Sequence, residues 1–177
     1  MIVRIFRRIV LSGASVAVLA VGLSACGNDK SYAIPEQLCG VAITPELTAP
    51  LLPDGDDVKA EPQSPRKDEY ARCTVSVDGK AALYIVEYSG QNSFDALEHA
   101  RDVSAFRNPQ KAKGVTNAVI ADGKFIAVTP CGEGKKSHVL DIDMNMPSSE
   151  AMDLRDELER FATSYLPVGK KGIGCEK

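Results

Sequence analysis

The sequence predicts an α+β fold: about five strands in one antiparallel sheet, with two long helices packed on one face and two disulfides. Three observations support this prediction. Apolar residues alternate with polar ones in several short segments, which is typical of half-buried strands. The pairs Asp78-Gly79 and Asp122-Gly123 fit tight hairpin turns. One segment near the C-terminus has the apolar spacing of an amphipathic helix.

The first third of the domain is predicted to contain little regular structure. We expect a short helical turn over 35–41 and a short helix that Thr44 caps and Pro45 begins. The segment 54–69 is acidic and contains proline without apolar periodicity, so we expect a loop. Its opening, residues 54–57, resembles the start of a calcium loop but lacks the later Gly and Glu of an EF-hand. We interpret it as a solvated loop.

Two strands flank the first Asp-Gly pair. In the first strand, Cys73, Val75 and Val77 alternate with polar residues, so one face should be buried. The second strand, 81–88, is apolar on both faces, as a central strand covered on both sides would be. A helix is predicted from Ser93 to Phe106, with Ser93 as its N-cap.

The second half of the domain repeats this plan with one additional strand. Strands at 117–121 and 124–130 flank the second Asp-Gly pair, and a third strand alternates from His138 to Met146. Ser149 is expected to cap the last helix. The apolar positions of that helix are Met152, Leu154, Leu158, Phe161 and Tyr165.

The first 25 residues have the features of a secretory targeting segment. Arg4, Arg7 and Arg8 precede an uncharged run of 15 residues from Ile9 to Leu23. Such a run is short for a transmembrane helix, which needs about 20 apolar residues, but it suits the apolar core of a signal peptide. The run ends in Leu23-Ser24-Ala25-Cys26, which resembles the bacterial lipobox of a leucine, two small residues and a cysteine.

The lipobox resemblance implies a lipid anchor. In proteins with this motif the cysteine thiol receives a diacylglycerol and the chain is cut before the cysteine. Residues 1–25 would then be the signal peptide, 26–34 the lipidated Cys26 with a tether, and 35–177 a single α+β domain. The expected location is the outer face of the cytoplasmic membrane. A plain secretory peptide and a retained transmembrane anchor are the alternatives.

Composition favours a folded domain that acyl chains hold at the membrane over a domain that binds lipid or nucleic acid through a basic surface. The 177 residues are 44% hydrophobic and 25% charged, which suits one globular domain. Removing residues 1–25 takes away three arginines and no carboxylate, so the mature chain is more acidic than the full chain at −3. Acyl chains must therefore hold it, at about 0.8 kcal/mol per buried CH₂. Nucleic acid, which needs a basic surface, is not an expected partner.

The cysteines that remain after Cys26 indicate an oxidising compartment. Cys39, Cys73, Cys131 and Cys175 are an even number in an exported chain, which indicates two disulfides. Three connectivities are possible. Chain order favours Cys39–Cys73 and Cys131–Cys175, because each pair then stays within one half of the domain. Zinc sites favour closely spaced cysteine pairs, and no two cysteines here are that close.

Motifs that would assign a reaction are absent from the sequence. It has no G-x-S-x-G nucleophile elbow and no H-E-x-x-H motif, and the segment 132–137 does not complete a phosphate loop. His99 is expected to be solvated on the first long helix, and His138 is expected near the surface at the start of a strand. We predict no catalytic residue, cofactor or metal ligand.

One face of the predicted sheet combines tyrosines with carboxylates. Asp141, Asp143 and Asn145 share one face of the last strand, and Tyr84 and Tyr88 lie on the outward face of the central strand. The simplest interpretation is the solvent face of an antiparallel sheet, and a cation site on the first three is the weaker alternative. Because tyrosines are frequent at interfaces, we hypothesise that this face binds a ligand or partner.

The whole layout resembles the small secreted lipoproteins of actinobacteria, whose function is unassigned. The shared features are the lipobox, an early cysteine in Leu38-Cys39-Gly40-Val41, a Pro/Gly-rich loop and Cys73 opening a strand. Val75 stands two positions after Cys73, where these lipoproteins often have an aromatic residue. The resemblance implies a compact α+β domain without catalytic residues to transfer.

The function expected from these observations is a membrane-anchored, non-catalytic binding module. Its partners would be the membrane, through diacylglycerol on Cys26, and an envelope protein or small ligand. The alternatives are an envelope enzyme using a carboxylate or metal site, and an accessory subunit of an export or cell-wall complex.

Overall fold

A computed structural model describes residues 30–64, 69–132 and 136–175. The predicted signal peptide, Cys26 and the start of the predicted tether lie outside these residues. The fold is α+β, as predicted, and is built on one large antiparallel sheet. The strands are β1 (Gln37–Leu38), β2 (Val41–Ala42), β3 (Val58–Pro62), β4 (Tyr70–Val77), β5 (Lys80–Asn92), β6 (Gln110–Lys111), β7 (Ala118–Ala121), β8 (Lys124–Pro130) and β9 (Lys136–Met144). The helices are α1 (Pro45–Thr48), α2 (Ala96–Asp102), α3 (Ser148–Asp153) and α4 (Arg155–Gly172).

In the part of the chain that is described, the main sheet has seven strands and not the predicted five. Their order is β3-β4-β5-β9-β8-β7-β6, and neighbouring strands are antiparallel. The two unpredicted strands, β3 and β6, are the edges. Strand β3 lies in the segment 54–69, where residues 58–61 do alternate apolar and charged side chains, but this run of four is short and Pro62 follows it.

The turn predicted over 35–41 is a small hairpin instead. Strands β1 and β2 pair across Cys39 and Gly40, which have φ angles of 51° and 86°. Two successive positive φ angles are the geometry of a tight hairpin turn and are incompatible with a right-handed helical turn.

The helices differ from the prediction in length and position. Helix α2 has seven residues and begins after Asp95, whose side chain accepts a hydrogen bond from the Glu98 backbone N at 2.8 Å. Asp95, not Ser93, is therefore the N-cap. The C-terminal helix is divided at Leu154 into α3 and the 18-residue α4, and Pro147, not Ser149, precedes α3. Only α4 is long among the helices of the described residues.

The helices α2 and α4 lie on opposite faces of the sheet, so the prediction of one shared face is wrong. Helix α4 packs Leu158, Phe161 and Tyr165 into a core with alternate residues of β8 such as Phe125. Helix α2 packs its alanines against the intervening residues, such as Ile126. Both faces of β7 and β8 are apolar, so each face needs a cover of its own.

The cysteine pairing agrees with the prediction. Cys39 and Cys73 form a disulfide with Cα atoms 5.8 Å apart, and Cys131 and Cys175 form another with Cα atoms 4.8 Å apart. The first disulfide connects the β1–β2 turn to β4. The second connects the end of β8 to the segment after α4, so each closes a long loop around the sheet.

Candidate functional site

The candidate site is the outward face of strands β4, β5 and β9. Directly paired residues of antiparallel strands lie on the same side of a sheet. Tyr84 pairs with Asp143, and Val86 pairs with Asp141. Tyr88 is two residues farther along β5 and therefore lies on the same side. The structure thus brings together four of the five residues that the sequence analysis selected for a binding face.

Strand β4 contributes two residues that the sequence analysis missed. Tyr70 pairs with Tyr88, and Arg72 pairs with Val86. Strand β4 begins three residues before Cys73, where the predicted strand started. The alternation of Tyr70 and Arg72 with a buried Ala71 was the available signal. We call this set the tyrosine face: Tyr70, Arg72, Tyr84, Val86, Tyr88, Asp141 and Asp143.

The tyrosine face is the open half of a sheet surface whose other half is covered. Ile126 of β8 pairs with Asp141, so it lies on the same side, where it is buried beneath α2. The residues of β4 and β5 on this side are exposed or half-buried, whereas those on the opposite side are almost all buried. Tyr70 and Tyr88 are consequently 36% and 37% exposed, which is unusual for large side chains in the middle of a sheet.

The aromatic side chains of the tyrosine face contact one another and an arginine. The ring centroids of Tyr70 and Tyr88 are 5.2 Å apart in a tilted arrangement. The guanidinium carbon of Arg72 lies 5.2 Å from the centroid of the Tyr84 ring, within the range of a cation–π interaction. These contacts fix the rings in a semi-exposed, continuous surface.

Asp143 forms an ion pair with a lysine from the neighbouring strand. The Lys124 Nζ donates to Asp143 Oδ2, and the two residues pair across β8 and β9. Lys124 is further held over the ring of Phe106, with 5.7 Å between Nζ and the ring centroid. Asp143 is thus one member of an ion pair at the border between the open and the covered halves.

Asp141 has a different environment, although it lies only two residues away. Burial raises the pKa of its carboxyl above the ordinary value. The positive charge of Lys124 lowers this pKa, the carboxylate of Asp143 raises it further, and His99 lowers it. Its Oδ1 is buried and has no hydrogen-bond partner within residues 30–64, 69–132 and 136–175. The side chain therefore carries an acceptor that the described protein leaves unused.

The hydroxyl of Tyr88 remains a hydrogen-bond donor at neutral pH. Partial burial raises its pKa, the neighbouring Tyr70 and Asp141 add to this, and Arg72 opposes it. A protonated phenol beside a guanidinium gives the tyrosine face donors for the oxygen atoms of a ligand.

Asn145 does not belong to the tyrosine face. It follows the end of β9, where its Nδ2 donates to the carbonyl oxygen of Ala81 at 2.9 Å. Its backbone N donates to Ala82 O at the same distance. Asn145 therefore closes the end of the sheet, and its amide nitrogen is engaged there.

A buried polar network lies on the other side of the same strands. The Nε2 of His138 is 3.1 Å from Glu87 Oε1, and the hydroxyl of Tyr165 donates to Glu87 Oε2 at 3.0 Å. All three side chains are at most 1% exposed. The expected surface position of His138 is thus wrong, because this end of β9 lies beneath α4. At this exposure the network cannot contact a solvent-borne ligand, so we assign it a structural role.

Gly169 shows how closely α4 approaches this network. A Cβ built at Gly169 would lie 2.5 Å from Glu87 Oε1 and 2.8 Å from the Tyr165 ring. Only glycine fits at this position without displacing the buried carboxylate. The signal in the sequence was a lone glutamate on the inward side of an otherwise apolar strand.

A surface cavity lies elsewhere, beside α4. It has a volume of about 730 Å³ and is lined mainly by charged side chains, including Lys113, Glu159 and Arg160. These groups largely bind within the protein: Glu159 accepts from Lys113 N, and Arg160 contacts Glu157 at 3.0 Å. The cavity therefore offers a ligand few unengaged groups.

Comparisons with known proteins return no relative for this chain. No family model matches it, and neither the curated proteins nor the solved structures contain a match. Within the residues that the structure describes, no group of three or more His, Cys, Asp and Glu side chains is arranged to hold a metal ion. None of the helices in this part is both long enough and apolar enough to cross a membrane.

Proposed function

We propose that this protein is a lipid-anchored binding module on the outer face of the cytoplasmic membrane. In this proposal acyl chains on Cys26 hold it, and the tyrosine face binds an envelope ligand or protein without catalysis. One observation carries the binding role: half of a sheet surface is covered by a helix, and the adjoining half presents semi-exposed tyrosines and an arginine.

The composition of the tyrosine face supports a binding role. Tyrosine and arginine are enriched at interfaces and dominate their binding energy. Tyr70 and Tyr88 have only two side-chain torsions each and already contact one another, so little conformational entropy is lost on binding. The face also lies on long, paired central strands, which hold it rigid.

The disulfides support the exported location. Disulfides persist in oxidising compartments outside the cytoplasm, and the pairs Cys39–Cys73 and Cys131–Cys175 both form in this fold. An exported chain with a lipobox-like sequence ending at Cys26 is the type of substrate that receives a lipid anchor.

The ion pair of Asp143 favours binding over the alternative of an envelope enzyme. Such an enzyme would need Asp141 and Asp143 as a pair of free carboxylates. Asp143 instead contacts Lys124, and Asp141 is half-buried. The Lys124–Asp143 ion pair would have to open before Asp143 could hold a metal ion or transfer a proton.

Site-specific photocrosslinking in living cells tests the binding face without knowledge of the ligand. A benzophenone amino acid replaces Tyr88 in one strain and Met152 in another. Met152 is 52% exposed on α3 and lies outside the tyrosine face, so it is the control position. We expect a discrete crosslinked adduct from position 88 and none from position 152. Adducts of equal yield at both positions, or none at position 88, would contradict the proposal.

A further inference from the structure

The chain becomes fixed to the domain very early after Cys26. The Lys30 Nζ donates to the carbonyl oxygen of Leu52 and to Asp54 Oδ1, both at 2.8 Å. The Tyr32 hydroxyl donates to Pro53 O at 2.7 Å, and Tyr32 is only 8% exposed. Residues 30–32, which belong to the predicted tether, are therefore bound to the loop 52–56.

The loop 52–56 is itself joined to the turn between β4 and β5. The backbone N atoms of Asp56 and Asp57 both donate to Asp78 Oδ1 at 3.0 Å. We call the loop 52–57 together with the turn 77–80 the anchor end of the domain. Because these hydrogen bonds connect residue 30 to both segments, the anchor end is where the domain receives its N-terminal chain.

Covalent geometry then limits the distance between the lipid and the anchor end. Only residues 27–29 stand between Cys26 and Lys30. A fully extended chain spans at most about 3.6 Å per residue, so the Cα atoms of Cys26 and Lys30 lie within about 14 Å of each other. If Cys26 carries a lipid and lies at the membrane surface, Lys30 therefore lies within about 14 Å of that residue.

We propose that the anchor end lies against the lipid headgroups and that β5 points away from the membrane. This inference rests on the acylation of Cys26 in the proposed function. The partner surface is the bilayer that carries the anchor, and the short tether selects which part of the domain meets it.

The charge of the domain opposes close contact with an anionic bilayer, so the short tether must supply the orientation. The chain is acidic, so an anionic bilayer repels it over a Debye length of about 8 Å, and contact through a small area is favoured. The anchor end exposes Asp54, Asp56, Asp57 and Asp78. Among the described residues, the exposed large apolar side chains all lie outside the anchor end. The anchor end thus has no apolar group to insert, and the tether, not attraction, must hold its carboxylates near the headgroups.

The orientation places the tyrosine face above the headgroups. Tyr88 is eight residues beyond Lys80 on β5, which at about 3.3 Å per residue is about 26 Å from the anchor end. At the far end of the sheet, Lys136 pairs with Asn92, roughly 35–40 Å from the anchor end. The tyrosine face would therefore be accessible to ligands of the envelope and out of reach of lipid.

Short-range fluorescence quenching tests the orientation. The lipidated full chain is placed in phosphatidylcholine–phosphatidylglycerol vesicles with a nitroxide on some headgroups. A fluorophore is attached to a noncanonical amino acid at position 80 or at position 136. Both positions are exposed lysines that begin a strand of the same sheet, so they are matched controls. We expect several-fold stronger quenching at 80, and equal quenching or stronger quenching at 136 would overturn the proposal.

Two further measurements separate this proposal from the function on which it rests. Flotation and intact mass report whether the protein is acylated and bound to vesicles, and an unacylated chain would overturn both proposals. In an acylated protein, ten Gly-Ser residues inserted after Gly27 should lower the quenching at position 80 toward that at position 136. Unchanged quenching would overturn the claim that the tether sets the orientation.

Discussion

At the scale of single residues, the two sides of β5 divide the polar chemistry of the protein. Its inward side carries Glu87, whose carboxyl group accepts from Tyr165 and is hydrogen-bonded to His138 in a fully buried network. Its outward side carries Tyr84 and Tyr88, which remain semi-exposed. One side therefore contributes to stability and the other carries the proposed binding face, and the predictions for them differ.

Substitution of Glu87 tests the structural role of the buried network. Glu87→Gln replaces one oxygen of the buried carboxyl by an amide NH₂ group, which cannot accept a hydrogen bond as that oxygen does. Losing a buried hydrogen-bond partner costs about 1–3 kcal/mol, so we expect a decrease of that size in the free energy of unfolding. Glu150→Gln, an exposed glutamate on α3, is the control and should change stability by less than about 0.5 kcal/mol. Urea titration measures both, and equal small effects would refute the role.

The pH dependence of stability tests the environment of Asp141. Burial raises the pKa of this carboxyl in the folded state above its unfolded value. Its contribution to stability is therefore full below the unfolded pKa and is lost as pH rises through the raised pKa. Asp141→Asn removes this loss, so the variant should be more stable than the wild type at pH 7 and show a weaker loss of stability between pH 4 and 7. Thermal unfolding at both pH values measures this.

Asp143→Asn is the matched control for Asp141→Asn. It removes the ion pair with Lys124, a partly exposed pair whose contribution is expected to be at most about 1 kcal/mol. We therefore expect the opposite sign at pH 7, a small loss of stability. Stabilisation by Asp143→Asn and none by Asp141→Asn would contradict the distinction between the two carboxylates.

At the scale of elements, the sequence predicted the central strands well and the edges and helices poorly. Strand β8 has the predicted bounds, and β4, β5, β7 and β9 lie within a few residues of theirs, because buried strands retain their apolar pattern. The edge strand β3 alternates apolar and charged residues only from Val58 to Glu61, which is too short a pattern to identify a strand without its pairing with β4. The positions of α2 and α4 depend on tertiary packing on opposite faces of β8.

The N-cap of α2 gives a prediction at this scale. Asp95→Ala removes the side-chain acceptor for Glu98 N and should lower the free energy of unfolding by about 1 kcal/mol. Ser93→Ala is the control, because Ser93 lies before the helix and makes no cap. Chemical denaturation of the two variants compares them, and a larger effect of Ser93→Ala would contradict the assignment.

Part of the tyrosine face could also be predicted from the sequence. The alternation in β5 and β9 was sufficient to select Tyr84, Tyr88, Asp141 and Asp143. Tyr70 and Arg72 depended on the register between β4 and β5, which a single sequence does not determine. The different environments of Asp141 and Asp143 could not be predicted from the sequence either. The ion-pair partner of Asp143 is Lys124, which lies 19 residues earlier on another strand.

At the scale of the whole molecule, one disulfide joins the β1–β2 turn to the middle of β4, and the other joins the end of β8 to the segment after α4. Replacing Cys131 and Cys175 together by serine releases the segment that follows α4. In the chain-entropy model a loop of this length contributes about 4 kcal/mol, so we expect a loss approaching that size. Denaturation of the double variant measures it. A change below about 1 kcal/mol would show that α4 packing alone holds the C-terminal segment in place.

The central claim concerns the whole molecule as well: an exported, disulfide-bonded domain is held to a membrane by lipid on Cys26. The most direct test is the intact mass of the protein purified from membranes, before and after reduction. We predict the loss of residues 1–25, the mass of acyl chains on Cys26 and a gain of four hydrogens on reduction of Cys39–Cys73 and Cys131–Cys175. A full-length, unacylated chain with four free thiols would contradict the claim.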